Sequence, residues 1–486
     1  MLSLPMRKLP FSILALGATV VASTLGACAS DDTLVHGFPT DAGSDVTVTP
    51  DAAPDAGPAQ LSSLKHVVVI FLENHSFDNL YGSYPGAEGL AAAGAKGVQI
   101  DPTTPDKKPY ATLPQSDPNI PDNTIANGPF DITKYITNDK QTAQDVTHRF
   151  YQEQMQINEG KMDQFVAYNG DSKGLSMGYY PTADLPMAKF LSGISSQVTV
   201  CDHFFHAAFG GSFLNHIWFI AAASPPFTNA PADMKATVDA QGHMTKDGAV
   251  TPDGYAVNTV FSVNSPHPAG TDAARLMPSV SAKDFPTIGD QLTTAGVDWV
   301  WYSGGWNDAM AGNPDPLFQY HHQPFAYFEN YADGTPAKTQ HLKDEADFIT
   351  AAKAGTLPAV SFVKPVGIDN EHPKYATMLR GQNHTIDLIK DVMDSATWND
   401  TAIIVTYDEN GGFWDHVAPP TTDKWGPGSR IPAIIISPFA KSGVDSTVYD
   451  TTAILKLLET RWNMPPLNAR VAGQADLAAH AFKFAN

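Results

Sequence analysis

The chain has 486 residues, of which 43% are hydrophobic and 17% charged, enough apolar material for one large α/β domain or two to three smaller ones. Its formal net charge of -21 argues against a nucleic-acid binder, because neutralising phosphates needs a basic surface. A local basic or metal-bearing pocket is compatible with that charge.

Residues 1–27 carry Arg7 and Lys8, then an apolar stretch, then small residues, which reads as a secretory signal. The stretch "LGAC" resembles a bacterial lipoprotein cleavage box, so Cys28 is expected to become a lipidated, membrane-tethering first residue; an ordinary cleaved signal and an uncleaved anchor are the alternatives. Between Ala29 and Leu64 stand six Asp and no Lys or Arg, among repeated Ala, Pro, Gly and Thr. Such a composition cannot bury enough apolar surface to fold, and residues 28–64 are expected to form an acidic tether. Residues 65–486 then form the folded body. Cys201, the only other cysteine, is expected in the core as a free thiol.

Within the body, Val67 to Leu72 is a continuous apolar run suited to a strand covered on both faces. Gly97 to Asp131, rich in Pro, Asp and Asn, reads as an insertion. A helix is expected over Thr142 to Glu159, a strand over Gln197 to Val200, and a helix starting near Ser212. Ser224 to Phe285 reads as a second insertion, with short strands and a place over a pocket. Helices over Thr287 to Ala295, His384 to Ser395 and Thr451 to Trp462 alternate with strands over Val297 to Tyr302, Ala359 to Val363, Ala402 to Tyr407 and Ala433 to Ser437. This alternation predicts an α/β layered sandwich around a mainly parallel sheet, with loop and short-strand insertions capping the site. No stretch in the body is apolar for the roughly 20 residues that span a bilayer.

Two of the apolar runs end alike. "VVVIFLENHSFDN" stops at Glu73 and Asn74, and "AIIVTYDENGGFWDHV" stops at Asp408 and Glu409 before a double glycine. Ligands sit beyond the carboxyl ends of strands in such sheets. Singly, each acidic pair reads as a turn or helix cap; together, at the tips of two buried strands, they call for a cation to offset their charge. Oxygen donors suit Ca, Mg or Mn, while Zn and Fe also accept carboxylates. In "FGGSFLNHIW", Gly210 and Gly211 let the chain turn into a helix whose first hydroxyl is Ser212, a nucleophile candidate and equally a routine N-cap. Neither Gly-x-Ser-x-Gly nor His-Glu-x-x-His is present. His148, His216, His321, His322, His372 and His416 stand in polar or loop-like settings, each unremarkable alone.

The motifs "ENHSFDNLYG", "FGGSFLNH", "DGYAVNTV", "DNEHP" and "TYDENGGFWDHVAPP", in that order between Lys65 and Arg470, resemble the phosphoesterase family of bacterial acid phosphatases and non-specific phospholipases C, within the alkaline-phosphatase superfamily. The family pattern has Arg where His75 stands. The resemblance implies one divalent ion held by Glu73, Asn74, Asp408 and Glu409, with Ser212 touching it as the nucleophile that forms a phosphoserine intermediate. It places His148, His322 and His372 in the pocket, Asn215 and His216 in the nucleophile motif, and His416 in the "DHV" element. Either His372 or His148 would protonate the leaving oxygen. The expected enzyme is an exported, tethered phosphomonoesterase of acid-phosphatase type acting on a small phosphoester, because only a short tail follows Arg470. A phospholipase C acting on phospholipid is the alternative, and a non-catalytic surface binding protein on the same fold a second one. The residues leave the ion's identity and the oligomeric state open.

Overall fold

The computed structural model describes residues 61–484. The expected signal segment, Cys28 and the tether up to residue 60 lie outside the described residues. Leu61 and Leu64 are already fully buried against the core.

The central strand, β1 (His66–Leu72), buries every residue after His66, as its unbroken apolar run predicts. In chain order follow β2 (Val198–Cys201), β3 (Trp299–Ser303), β4 (Leu342–Asp344), β5 (Val360–Lys364), β6 (Thr401–Tyr407), β7 (Ala433–Ile436) and β8 (Gly443–Asp445). They form a sheet in the order β4-β3-β5-β1-β6-β7-β2-β8. Every neighbouring pair is parallel except the two made by β7, which runs antiparallel to β6 and β2. The sheet is thus mainly parallel, as expected. Cys201 is a free, fully buried thiol.

The helices that matter for the site are α1 (Phe77–Tyr81), α2 (Phe150–Ile157), α3 (Ser212–Ala221), α4 (Ile288–Thr294), α5 (Met378–Met393) and α6 (Thr452–Arg461). α3 packs against α4 and α6, while α5 packs against the helices Pro186–Gly193 and Glu345–Ala354; with the sheet, these groups make the layered sandwich. No helix among the described residues is long and apolar enough to cross a membrane.

Two helix expectations need correction. The helix read over 142–159 begins only at Phe150, because the N–H groups of Ala143 and Gln144 are taken by the Asp117 carboxylate and that of Thr147 by Asn169. His148 therefore sits on extended chain. The helix read from His384 starts earlier, at Met378, where the Thr377 side chain accepts from the Arg380 N–H as an N-cap. The second insertion contains paired short strands, Thr237–Val238 with Met244–Lys246 and Phe261–Ser262 with Leu276–Met277.

The loops after β1 and β6 are laced together by a buried charge cluster. Arg430 is fully buried; its Nη2 lies 3.0 Å from Asp78 Oδ1, its Nε lies 3.0 Å from Asp415 Oδ1, and its Nη1 donates to the carbonyls of Glu88 and Asp202 at 2.7 and 2.8 Å. His416 Nδ1 reaches Asp78 Oδ2 at 2.5 Å. Arg430→Met should leave two buried carboxylates short of their cation and cost about 3–5 kcal/mol, read as a lowered urea midpoint. A change under about 1 kcal/mol would show that the cluster carries no such weight.

Candidate active site

The in-register parallel pairing of Leu72 with Tyr407 brings the ends of β1 and β6 side by side. Glu73 and Asn74 thus emerge next to Asp408 and Glu409, and all four are buried. The ladder continues past the strands: the N–H of Asp408 donates to Leu72 O at 3.0 Å and that of Glu73 to Asn370 O at 3.0 Å. Asn74 takes a left-handed conformation, φ 87°, which Asn tolerates better than most residues. Gly411 must be glycine here, since a Cβ would run into the backbone oxygen of Asn74.

The nucleophile candidate is delivered by a tight turn. Gly210 has φ +92°, and a Cβ on it would meet the backbone of Phe150. Glu153, on α2, fastens the turn: its Oε2 accepts from the Gly210 N–H at 2.6 Å, and its Oε1 accepts from Ser429 N and Oγ and pairs with His206 Nε2 at 2.8 Å. The Ser212 hydroxyl, at the start of α3, lies 3.4 Å from Glu409 Oε1. It faces a cavity of about 330 Å³ whose walls include Glu73, Asp145, His148, Arg149, His322 and His372.

Most of the predicted site residues therefore converge. His322 Nε2 pairs with Glu73 Oε1, His372 Nε2 stands 3.7 Å from Glu73 Oε2, and His148 Nε2 stands 4.0 Å from Glu409 Oε1 and 3.4 Å from Asn74 Nδ2. Asn215 and His216 do not line the cavity. Asn215 spends its side chain on the backbone of Ala208, Gly210 and Gly211, a positioning role in the turn. His216 donates through Nδ1 to Ser212 O at 2.7 Å and stacks beneath His322 at 5.0 Å. His416 belongs to the Arg430 cluster. His75 bridges Asn79 and the carbonyl of Glu371, away from the cavity.

Sequence reasoning missed Lys364, Asp145, His321 as a wall of the cavity, and Glu153. Lys364 ends β5 and is fully buried with its Nζ 2.8 Å from Glu73 Oε1. A charge ending the apolar run "VSFVK" was the available signal. Glu153, inside a polar helix, gave none.

Burial pushes Asp408 up to about 8, with Lys364 opposing and Glu73 adding to the rise; burial and then the Asp408 charge push Glu409 well above the ordinary carboxylate range. Burial also works against Glu73, yet His322 and Lys364 hold it well below its usual value. Asn74 Oδ1 and Asp408 Oδ2 are buried without a hydrogen-bond partner. Crowded carboxylates and orphaned oxygens fit a divalent cation, which would satisfy both. Among the described residues, three groups of side chains offer ligand atoms within 4.8 Å of one another: Glu73, His216 and His322; Asp145, His148 and His372; and Asp78, Asp415 and His416. Arg430 already serves both acids of the last.

A mainly parallel layered sheet with a metal-fit acidic cluster and, beside it, the Ser212 hydroxyl, which opens α3 without capping it and points to Glu409, defines a metal-binding hydrolase. The chain belongs to the Phosphoesterase family, whose model matches residues 64–465, and it is a hydrolase of phosphoric esters. It is 26% identical to phospholipase C A of Mycobacterium tuberculosis over 447 residues, covering 85% of this chain and 75% of that one. It is also 26% identical to the non-hemolytic phospholipase C of Pseudomonas aeruginosa, over 474 residues, 88% of this chain and 58% of that protein. Among solved structures, the lipoteichoic acid synthase LtaP of Listeria monocytogenes is a distant likeness, with a TM-score of 0.35 and 9% identity over 88% of this chain and 80% of that one.

Behind the cavity, Glu371 sits in the β5–α5 connection with φ 75°, fully enclosed, accepting from Tyr407 Oη at 2.8 Å. Burial raises it from the ordinary 4.5 to about 8. The unfolded chain ionises this group at the lower value and the folded chain at the higher, so folding stability is lost as pH rises between them, by up to about 1.4 kcal/mol per pH unit. Urea unfolding at about pH 5 and about pH 8 should show Glu371→Gln losing less stability than the wild type over that span. Equal losses in the two proteins would show that Glu371 does not carry the effect.

Proposed function

We propose that the protein is a metal-dependent phosphomonoesterase of acid-phosphatase type that works through a phosphoserine on Ser212. The observation that carries this reading is the placement of the Ser212 hydroxyl 3.4 Å from Glu409, on the wall of a cavity shared with Glu73 and four histidines. Glu73, Asn74, Asp408 and Glu409 would hold the ion, which supplies a lowered hydroxyl pKa and charge to offset the phosphoryl oxygens.

The chain's own residues account for the rest. Ser212 Oγ attacks phosphorus while its proton passes to Glu409 Oε1, forming the Oγ–P bond and breaking the bond to the ester oxygen. His148 Nδ1 donates to Val146 O and His372 Nδ1 to Pro373 O, both at 2.6 Å, which turns each Nε2 towards the cavity. A proton on one of these Nε2 atoms goes to the leaving oxygen; the same nitrogen then takes a proton from the water that attacks phosphorus, the Oγ–P bond breaks to release phosphate, and Glu409 returns its proton to Ser212 Oγ. Burial lowers His148, so its acid form grows only as pH falls, which favours turnover on the acid side.

A phospholipase C is the second reading, favoured by the likeness to the two bacterial phospholipases C. The polar walls of the cavity, with Asp145, Arg149, Asn258 and Gln319, favour a small hydrophilic ester. The proposal also takes residues 1–27 as an export signal and Cys28 as a lipidated tether to the cell envelope, supported by "LGAC".

Purified protein assayed on p-nitrophenyl phosphate and on phosphatidylcholine micelles should hydrolyse the former, and cleavage of the lipid alone would favour the second reading. Ser212→Ala should lower turnover at least about 10³-fold, and acid quenching of the wild type should trap phosphate on Ser212. Unchanged turnover in that variant would end the covalent mechanism. His148→Asn and His372→Asn separate the acid from its neighbour: the true acid costs about 10²–10⁴-fold on an alkyl phosphate and far less on p-nitrophenyl phosphate, whose leaving group needs no proton.

A further inference from the structure

Glu73, Asp408 and Glu409 put three carboxylates into one buried corner, and a single divalent ion carries only two positive charges. Among the described residues, Lys364 is the one Lys or Arg that ion-pairs with any of the three. It reaches there by register: Ile70 pairs with Val363, so Lys364 stands level with Phe71, over whose ring its Nζ lies at 5.6 Å, two residues before Glu73. The Glu73 oxygen it approaches is the one that also faces His322 Nε2. Glu73, His216 and His322 form a metal-capable group that borders the Asp408 side of the cluster, where His216 Nδ1 lies 3.7 Å from Asp408 Oδ2. Its imidazoles are prepared as ligands, since His216 Nδ1 is tied to Ser212 O and its Nε2 is buried without a partner.

We propose that Lys364 is a resident cation that takes the place of a second divalent ion at the Glu73–His216–His322 group, limiting the site to one ion and holding Glu73 in position before that ion arrives. This rests on the reading that Glu73, Asn74, Asp408 and Glu409 hold an ion. The ammonium and one divalent ion together balance the three carboxylates. Lys364 also fixes the asymmetry of the cluster, because it sits against Glu73 and leaves the Asp408 and Glu409 oxygens for the ion. Lys364 is thus a positioning residue, acting on the reaction through Glu73.

The test uses the wild type, Lys364→Met and the double variant Glu73→Gln with Lys364→Met, each stripped with EDTA, dialysed against ZnCl₂ and measured for zinc content and for melting temperature with and without EDTA. The wild type is expected to hold one zinc. Lys364→Met should hold two, a twofold rise, and should melt far lower than the wild type in EDTA while regaining most of that loss in zinc, because removing one partner of a buried pair strands the other. If Lys364→Met folds only when zinc is present, that result counts for the proposal as well. The double variant, with both charges gone, should melt in EDTA near the wild type. A double variant as unstable as Lys364→Met would assign the loss to the packing of the lysine stem and overturn the proposal. One zinc in Lys364→Met with the wild type's EDTA response, or two in the wild type, would also overturn it. Absence of bound zinc in the wild type would instead overturn the ion reading on which it rests.

Discussion

Like charges forced together in a dry corner of a sheet are the constraint from which the rest of this structure follows. Parallel pairing of β1 with β6 fixes the separation of their ends, and the register that matches Leu72 with Tyr407 leaves the acids after them no room to diverge. Two unit charges about 4 Å apart repel by roughly 4 kcal/mol at an effective dielectric constant near 20, a large share of the stability of an ordinary domain. Such an arrangement persists only if positive charge is brought to it. Lys364 answers part of that demand from within the fold, and the raised values of Asp408 and Glu409 show that part of it is left over for a cation.

The corner could relax by letting its loops drift apart, and the surrounding polar network prevents this. Ser76 Oγ donates to Trp414 O at 2.7 Å, so the segment after β1 is tied to the segment after β6 within a few residues of the acids. Arg430 ties Asp78 to Asp415 a little further on. Glu153 does for the Ser212 turn what Arg430 does for the acidic loops, its two oxygens accepting from the N–H groups of Gly210 and Ser429, the Ser429 hydroxyl and the His206 imidazole. A site whose charges are held by such supports meets a developing charge without rearranging, which is the main electrostatic advantage an enzyme has over water. The buried ion pairs are therefore better understood as fixing geometry than as adding stability.

How much of this the sequence discloses depends on the range of the interaction. β1 and β6 are legible because strands covered on both faces read as unbroken apolar runs, and the acids that end them stand out against that background. Ser212 is legible through the double glycine that its turn requires. Which strands are neighbours is not written locally, so the convergence of Glu73 with Asp408 rests on topology. Lys364 shows the same limit, since "VSFVK" displays its charge but not the strand beside it. The segment from Thr142 to Arg149 misleads for a related reason: Asp117 and Asn169, distant in sequence, take its backbone donors and keep it out of the helix it would otherwise join. Asn215 stands in a recognisable motif, yet only its partners show that it faces backbone.

The histidines extend the electrostatic reasoning to substrate. His148, His216 and His372 each place Nδ1 against a backbone carbonyl close by in the chain, which leaves the Nε2 of a neutral ring as a lone pair. The rings of His148 and His372 turn that lone pair to the cavity, where it adds to the oxygens of Glu73 and Asp145. Arg149 on the wall is already paired with Asp247, so an electron-rich cavity of this kind repels a phosphate dianion. It accepts one only when protons or a cation have entered, and burial delays the protons by lowering His148, while it draws His322 down to about 4. Cation binding and proton uptake are thus alternative ways of meeting one requirement, so the pH at which this site accepts a phosphate ester is set jointly by the ion it holds and by the depth at which its imidazoles are buried.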